Sequence, residues 1–234
     1  MTEIRMTCEE FADYLVGVVA GDGDLYHDAR RGYRVRIADA SIHYLNMLND
    51  YLRRCLKAEG RIYKHKKYKA HYLVIWRKEV YDLITRRIQD LLERPTPAFV
   101  AGLIDAEGGI GKTRHGLYRL YFTNIDKKIV DIVARMLESY GIKYYLVAEG
   151  RKYRVYVHGI DRIREVLDKP PVIHPKIRDK FLSFFTKINF LYRPSLRGEG
   201  DSPVGETARG GVPGSRSTSP WFWRGKLAAT GRQG

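Results

Sequence analysis

Cysteine is nearly missing from this 234-residue chain. Cys8 and Cys55 cannot build a structural zinc site on their own, and nothing around them suggests a disulfide framework. Long apolar runs are missing too. None approaches the ~20 residues that a membrane-spanning helix needs, so no membrane partner is expected. The first residues show no basic patch leading into an apolar stretch, so no secretory signal is expected and the expected location is cytoplasmic. Side-chain amides are scarce. Two Gln and four Asn, beside many Arg, Tyr and Ile, lean towards a thermophilic source. Acids are the class in shortest supply relative to its opposite: 27 Asp and Glu face 42 Lys and Arg, a net charge of +15. The pI of about 9.8 makes a polyanion the first partner to consider, and nucleic acid is the commonest one. A ribosomal-type protein, or a basic surface without a partner, would share that balance.

Hydrophobic content of 44% and charged content of 29% suit a globular chain with a sizeable core. The segment 194–234 stands apart. Of its 41 residues 21 are Gly, Pro, Ser or Thr, with no sustained period, which predicts a disordered or loosely attached tail. That tail carries only +3 of the net charge, so the folded part remains at +12.

Before the tail the chain reads as two similar halves, 1–93 and 94–170, followed by one further helix within 171–193. Thr7 and Glu10 form a capping-box pattern that starts a helix over 8–21. A strand at 32–38, a helix at 43–56, a strand pair with a basic turn, and a helix at 80–92 follow. The second half repeats the order, its first helix opened by Thr96 and Pro97. A strand at 117–124, a helix at 127–141, a strand pair within 143–159 and a helix at 161–167 complete it. The expected class is α+β, with two αββαββα repeats.

The first helices of the two halves end alike: "LVGVVAGDG" (15–23) and "VAGLIDAEG" (100–108). Gly17 and Gly21, like Gly102 and Ala106, are four apart and share a helical face. Small residues there let two backbones approach closely, while Val16, Val18, Val19, Val100, Leu103 and Ile104 bury to either side. If the helices pair, Asp22 and Glu107 meet at the end of the seam. Two like charges at helix C-termini are unfavourable without a cation, and hard oxygen ligands suit Mg²⁺. Gly23 and Gly108 are expected to permit a sharp exit turn. One such Gly-Asp-Gly is ordinarily only a cap and turn. Its duplication, in the same order of small, apolar and acidic residues, points to a paired site.

These two stretches resemble the signature motifs of the LAGLIDADG homing endonucleases, the second more closely. The resemblance covers about residues 8–170 and is to the single-chain, two-repeat members of archaeal introns and inteins. No splicing-domain residues surround it, so an intron-encoded protein is expected. The resemblance implies two motif helices packed at the centre of a DNA-binding saddle. It implies divalent metals, Mg²⁺ or Mn²⁺, held by Asp22 and Glu107 with the carbonyls of Gly21 and Ala106. It implies cleavage of both strands of a long, non-palindromic DNA target by a monomer. Asp39 and Asn124 match the place where relatives carry a polar residue that orders water near the metals. In relatives basic residues near the site often assist catalysis, and Lys112 and Lys152 are the candidates for that role here.

The strands themselves support a polyanion-facing surface. Arg34 and Arg36 share a face opposite Val35 and Ile37. Lys152, Arg154, Tyr156 and His158 share one opposite Tyr153, Val155 and Val157, and Arg119, Tyr121 and Thr123 form a similar stripe. Lys64 and Lys66 lie in the basic turn and Arg77 follows the next strand; these complete the candidate nucleic-acid contacts. The same surface would serve an RNA maturase acting on its host intron, or a DNA-binding regulator without catalysis. A regulator, however, would have no need of both motif acids.

Overall fold

Thr7 begins the first helix in the expected way: its hydroxyl accepts the Glu10 N–H at 3.2 Å, and the Glu10 carboxylate accepts the Thr7 N–H at 2.8 Å. The computed structural model describes residues 6–30, 32–65 and 68–191. The Gly/Pro/Ser-rich tail and Lys66 lie outside those residues. Helix α1 (Cys8–Asp22) leads directly into strand β1 (Gly23–Asp28), which returns as β2 (Gly32–Asp39). Helix α2 (Ile42–Leu56), strands β3 (Arg61–Lys64) and β4 (His71–Ile75), and helix α3 (Lys78–Glu93) follow. The second repeat is α4 (Pro97–Glu107), β5 (Gly108–Lys112), β6 (Tyr118–Asn124), α5 (Lys127–Ser139), β7 (Tyr145–Glu149), β8 (Lys152–His158) and α6 (Ile160–Asp168). Helix α7 (Pro175–Leu191) comes last.

The two sheets are antiparallel, with matching orders β1-β2-β4-β3 and β5-β6-β8-β7. The αββαββα repeat expected of each half is therefore present. In each repeat the second strand is central, so its alternation is the clearest: Val35 and Ile37 face the helices, while Arg34 and Arg36 face away.

Helices α1 and α4 are apolar all round because they lie between the two halves and are covered on every side. Phe11 through Val19 and Ala98 through Asp105 are buried without a break. What brings the helices together is the missing side chains. A Cβ on Gly17 would collide with the carbonyl oxygen of Phe99 and sit 3.1 Å from the Gly102 Cα. A Cβ on Gly102 would collide with the Tyr14 carbonyl and sit 2.8 Å from the Val18 nitrogen. The contact is backbone against backbone and reciprocal, as the four-residue spacing predicts. Nearby, buried Asp13 accepts hydrogen bonds from Arg87 and, at 3.0 Å, from Thr96, tying α3 and the inter-repeat linker to the first helix.

Two sequence expectations are corrected. Gly23 and Gly108 make no sharp exit turn: their φ values of −95° and −92° are ordinary extended backbone, and the chain runs straight into β1 and β5. Glycine is needed for space instead. A Cβ on Gly23 would lie 2.5 Å from the Val19 Cα, and one on Gly108 would strike the Ile104 carbonyl. Second, Cys8 and Cys55 are joined by a disulfide that links the start of α1 to the last turn of α2, with Cα atoms 5.0 Å apart. Intracellular proteins of hyperthermophiles are the setting where such bonds persist inside cells.

An Ala in place of Gly within a helix ordinarily stabilises it by up to about 1 kcal/mol. At Gly17 or Gly102 the sign should reverse, with a loss of about 1–3 kcal/mol or more from forced separation of the helices, read as a lowered Tm. The disulfide spans a sequence separation of 47. Its reduction, or Cys8→Ser with Cys55→Ser, should cost up to about 4 kcal/mol in chemical unfolding with and without a reductant.

Candidate metal centre and nucleic-acid interface

The seam that starts at Gly17 and Gly102 ends at the two motif acids. A Cβ on Gly21 would lie 2.5 Å from the Ala106 Cβ and 3.3 Å from the Glu107 Cγ. The side chain of Glu107 therefore rests against the residue before Asp22. Residues 85 apart in sequence share one half-buried position at the midline. Burial is the first reason that the Asp22 carboxyl is held well above the usual carboxylate range, and the charges of Glu107 and Asp39 push it further; Lys176 pulls it back. Burial likewise raises Glu107, against the pull of Lys152 and then Lys176.

The side chains that meet at this place are two carboxylates, which are hard oxygen donors. No cluster of three or more His, Cys, Asp or Glu side chains suited to a metal occurs among the described residues. The acids come as a pair, so an ion held there would complete its shell with carbonyls, water and the oxygens of a substrate. That suits Mg²⁺ or Mn²⁺ and not a nitrogen- or sulfur-seeking ion.

Of the two lysine candidates, Lys152 acts on Glu107. Lys112 points elsewhere, with its ammonium 4.9 Å over the Tyr118 ring. Lys176, which sequence reasoning missed, acts on both acids. It arrives on the first turn of α7, outside the two repeats. The same strap between α6 and α7 brings His174, buried at 1% exposure, to Asp39: Nε2 is 2.9 Å from the carboxylate. Only the His-Pro-Lys at a helix start could have hinted at either residue.

Asp105, in the middle of the second motif, is fully buried. Its Oδ2 accepts from the Tyr14 hydroxyl at 2.6 Å and from the main-chain N–H groups of Ile173 and His174 at 2.8 and 3.1 Å. Burial pushes its carboxyl up to about 6, while the Tyr14 bond pulls it down.

The outer faces of the sheets are basic and aromatic. Arg34 and Arg36 both pair with the Asp24 carboxylate, at 3.3 and 3.0 Å, and lie over the rings of Tyr26 and Tyr72 at 4.7 and 5.0 Å. In the second sheet Arg119 lies 4.6 Å over Tyr156, and Arg154 pairs with Glu149 at 2.7 Å. Tyr156 is buried under these neighbours, and its hydroxyl donates to Glu149 at 3.0 Å, so it supports the arginines from beneath. Tyr121 lies across β5, within 2.6 Å of where a Gly109 Cβ would be, on the face of Arg119. The guanidinium Nε atoms of Arg34, Arg119 and Arg154 are buried with no hydrogen-bond partner among the described residues.

Register separates the remaining candidates. Arg36 pairs with Val74, and Val74 with Arg61, so Arg61 and Tyr63 join the arginine face. Lys64 pairs with His71, in line with Asp39, and falls on the opposite face. Arg77 is exposed and caps α3 by its backbone alone.

Residues 95–169 match the LAGLIDADG-like domain family, and residues 11–92 match the WhiA LAGLIDADG-like domain family. Homing endonuclease I-DmoI from Desulfurococcus mucosus is 31% identical over 167 residues, covering 65% of this chain and 84% of that protein. A crystal structure of I-DmoI in complex with DNA and Mn superposes with a TM-score of 0.56 at 25% identity, covering 72% of this chain and 99% of that one. The N-terminal LAGLIDADG domain of DUF199/WhiA shares the fold, with a TM-score of 0.54 at 17% identity over 74% of this chain and 88% of that one. A matched motif helix in each half, the paired acids at their ends and this likeness to a two-repeat relative place the chain in the LAGLIDADG homing endonuclease family.

Proposed function

We propose that the protein is a site-specific homing endonuclease that makes metal-dependent double-strand breaks in a long, non-palindromic DNA target. The observation that carries this reading is the convergence of Asp22 and Glu107 at the buried end of the α1–α4 seam. Two acids held above their usual range by burial, Asp22 also by the charges of Glu107 and Asp39, are costly in the free protein. A regulator that only binds DNA would gain nothing from keeping them.

A divalent ion bound there would polarise the phosphate and supply a deprotonated water at neutral pH. The chain's own residues do the rest. Asp22 and Glu107, with the carbonyls of Gly21 and Ala106, would hold the ion. Lys152 and Lys176 offset negative charge near Glu107 and at the pair. Arg34, Arg36, Arg61, Arg119, Tyr121 and Arg154 face the duplex, the guanidinium groups of Arg34, Arg36, Arg119 and Arg154 each presented by an acid or an aromatic ring. Because one chain supplies both sheets and both acids, it acts as a monomer. Because the halves differ in sequence, the target is asymmetric.

Purified protein with Mg²⁺ should cut an intronless copy of its host gene at one place, or yield cut ends from a randomised duplex library. Asp22→Asn and Glu107→Gln should abolish cutting and keep DNA affinity in Ca²⁺, since removing negative charge does not weaken phosphate contact. Failure of the wild type on both substrates overturns the endonuclease reading. Cutting that survives both substitutions overturns the assignment of the acids.

The raised carboxyls also set a pH dependence. Between the unfolded carboxylate range and the raised folded values, the native state holds more protons than the unfolded state. Without metal, stability attributable to this pair is therefore present at acid pH and lost as pH rises through the raised values. Asp22→Asn should melt higher than the wild type at pH 8, the gap should shrink at pH 5, and Mg²⁺ should raise the wild type alone. Equal melting curves at both pH values would contradict this.

A further inference from the structure

Asp39 and Asn124 stand at the same place in the two repeats, each 17 residues past its motif acid. Their surroundings differ. Asn124 turns back on the chain, its Oδ1 accepting the Asp126 N–H at 2.8 Å. Asp39 does likewise with the Ser41 N–H at 2.5 Å, but its second oxygen faces the His174 ring. No imidazole contact to Asn124 is found among the described residues.

The ring of His174 is fixed from several sides. It stacks on Tyr44 with centroids 4.1 Å apart. Its Nδ1 accepts the Lys176 N–H at 3.0 Å. A ring nitrogen that accepts a hydrogen bond carries no proton, so this contact assigns the proton to Nε2, and Nε2 donates to Asp39. The backbone of the strap is held separately, with the N–H groups of Ile173 and His174 both on Asp105. Tyr14 donates to the same oxygen of Asp105, and the Tyr44 hydroxyl lies 2.7 Å from that of Tyr14. The anchor exists in one motif only, because the first motif has Ala20 where the second has Asp105. A buried imidazole that only filled space would be replaceable by an apolar ring. This one has both nitrogens engaged, and one of them is on the Asp39 carboxylate, whose charge reaches Asp22 where β1 and β2 begin their pairing at Gly23 and Ile37.

We propose that His174 is a positioning residue for one of the two half-sites: its Nε2–H holds Asp39 beside Asp22, so that cutting of one DNA strand depends on the α6–α7 strap and cutting of the other does not. Asp39 so held is an acceptor for a water in the Asp22 half-site. Lys176 is not the source of the inequality, since its charge reaches both acids.

This inference rests on the endonuclease reading, and the two can fail separately. The wild-type protein would be given a target duplex with a different label on each strand, and the two nicking rates followed in Mg²⁺. His174→Ala should slow one strand by roughly 10–100-fold and leave the other within about twofold, so that nicked DNA accumulates. DNA affinity in Ca²⁺ should be unchanged. Asp39→Ala should slow the same strand as His174→Ala, and Asn124→Ala the opposite one. His174→Gln, whose Nε2 can reach Asp39, should restore much of the rate. His174→Asn, which reaches only the Lys176 N–H, should not. Independently of cutting, the imidazole ¹⁵N shifts of the metal-free protein should show the Nε2–H tautomer for His174. Equal slowing of both strands, equal behaviour of the Gln and Asn variants, or an Nδ1–H tautomer would overturn the inference while leaving the endonuclease reading intact. A wild type that cuts no DNA would overturn that reading, and this inference with it.

Discussion

Everything in the structure depends on two peptide backbones touching. At Gly17 and Gly102 the motif helices approach until a single Cβ on either would overlap a carbonyl of the other. No side chain mediates the contact, so the distance between the halves is set by covalent geometry and cannot be tuned by repacking. The sheets hang from this pair. Their spacing and tilt relative to each other follow from where α1 and α4 cross.

The same closeness explains why the acids lie where they do. A helix apolar on every side is the means of carrying a polar group into the middle of a protein. Asp22 and Glu107 are at the ends of such helices, where the macrodipole is against them and where each adds to the other's burden. The molecule retains them at a cost in its own stability. That trade is characteristic of a binding centre whose ligand is positively charged, and is foreign to a structural core.

Most of the architecture was legible in the order of residues, because two kinds of signal repeat: the 3.6-residue period of the helices with their Thr7 and Thr96 caps, and the alternation of Arg34-Val35-Arg36-Ile37. The paired acids were legible for the same reason, since a motif that occurs twice declares itself. Four things were not. The true role of Gly23 and Gly108 depends on where Val19 and Ile104 stand one turn back, which is a matter of packing and not of local conformation. The Cys8–Cys55 bond depends on α1 and α2 lying side by side, and two isolated cysteines carry no sign of that. Lys176 and His174 reach the centre by way of a non-repeating strap, so no internal comparison could single them out. The face of Lys64 was hidden by register alone: a shift of one residue in β3 would have placed it among the arginines.

The strap has a further meaning for how the protein comes into being. Both sheets and both motif acids are encoded before residue 170, but the imidazole that holds Asp39 comes after them. A chain emerging from the ribosome would therefore possess both basic sheet faces before His174 is there to meet Asp39. The stretch from Val172 to Lys176, made after both repeats, brings an imidazole to Asp39 and a lysine charge to both acids. Order of synthesis thus separates the sheets and the motif acids from the contact that joins Asp39 to the strap, so the first repeat is met by a segment that it does not itself contain.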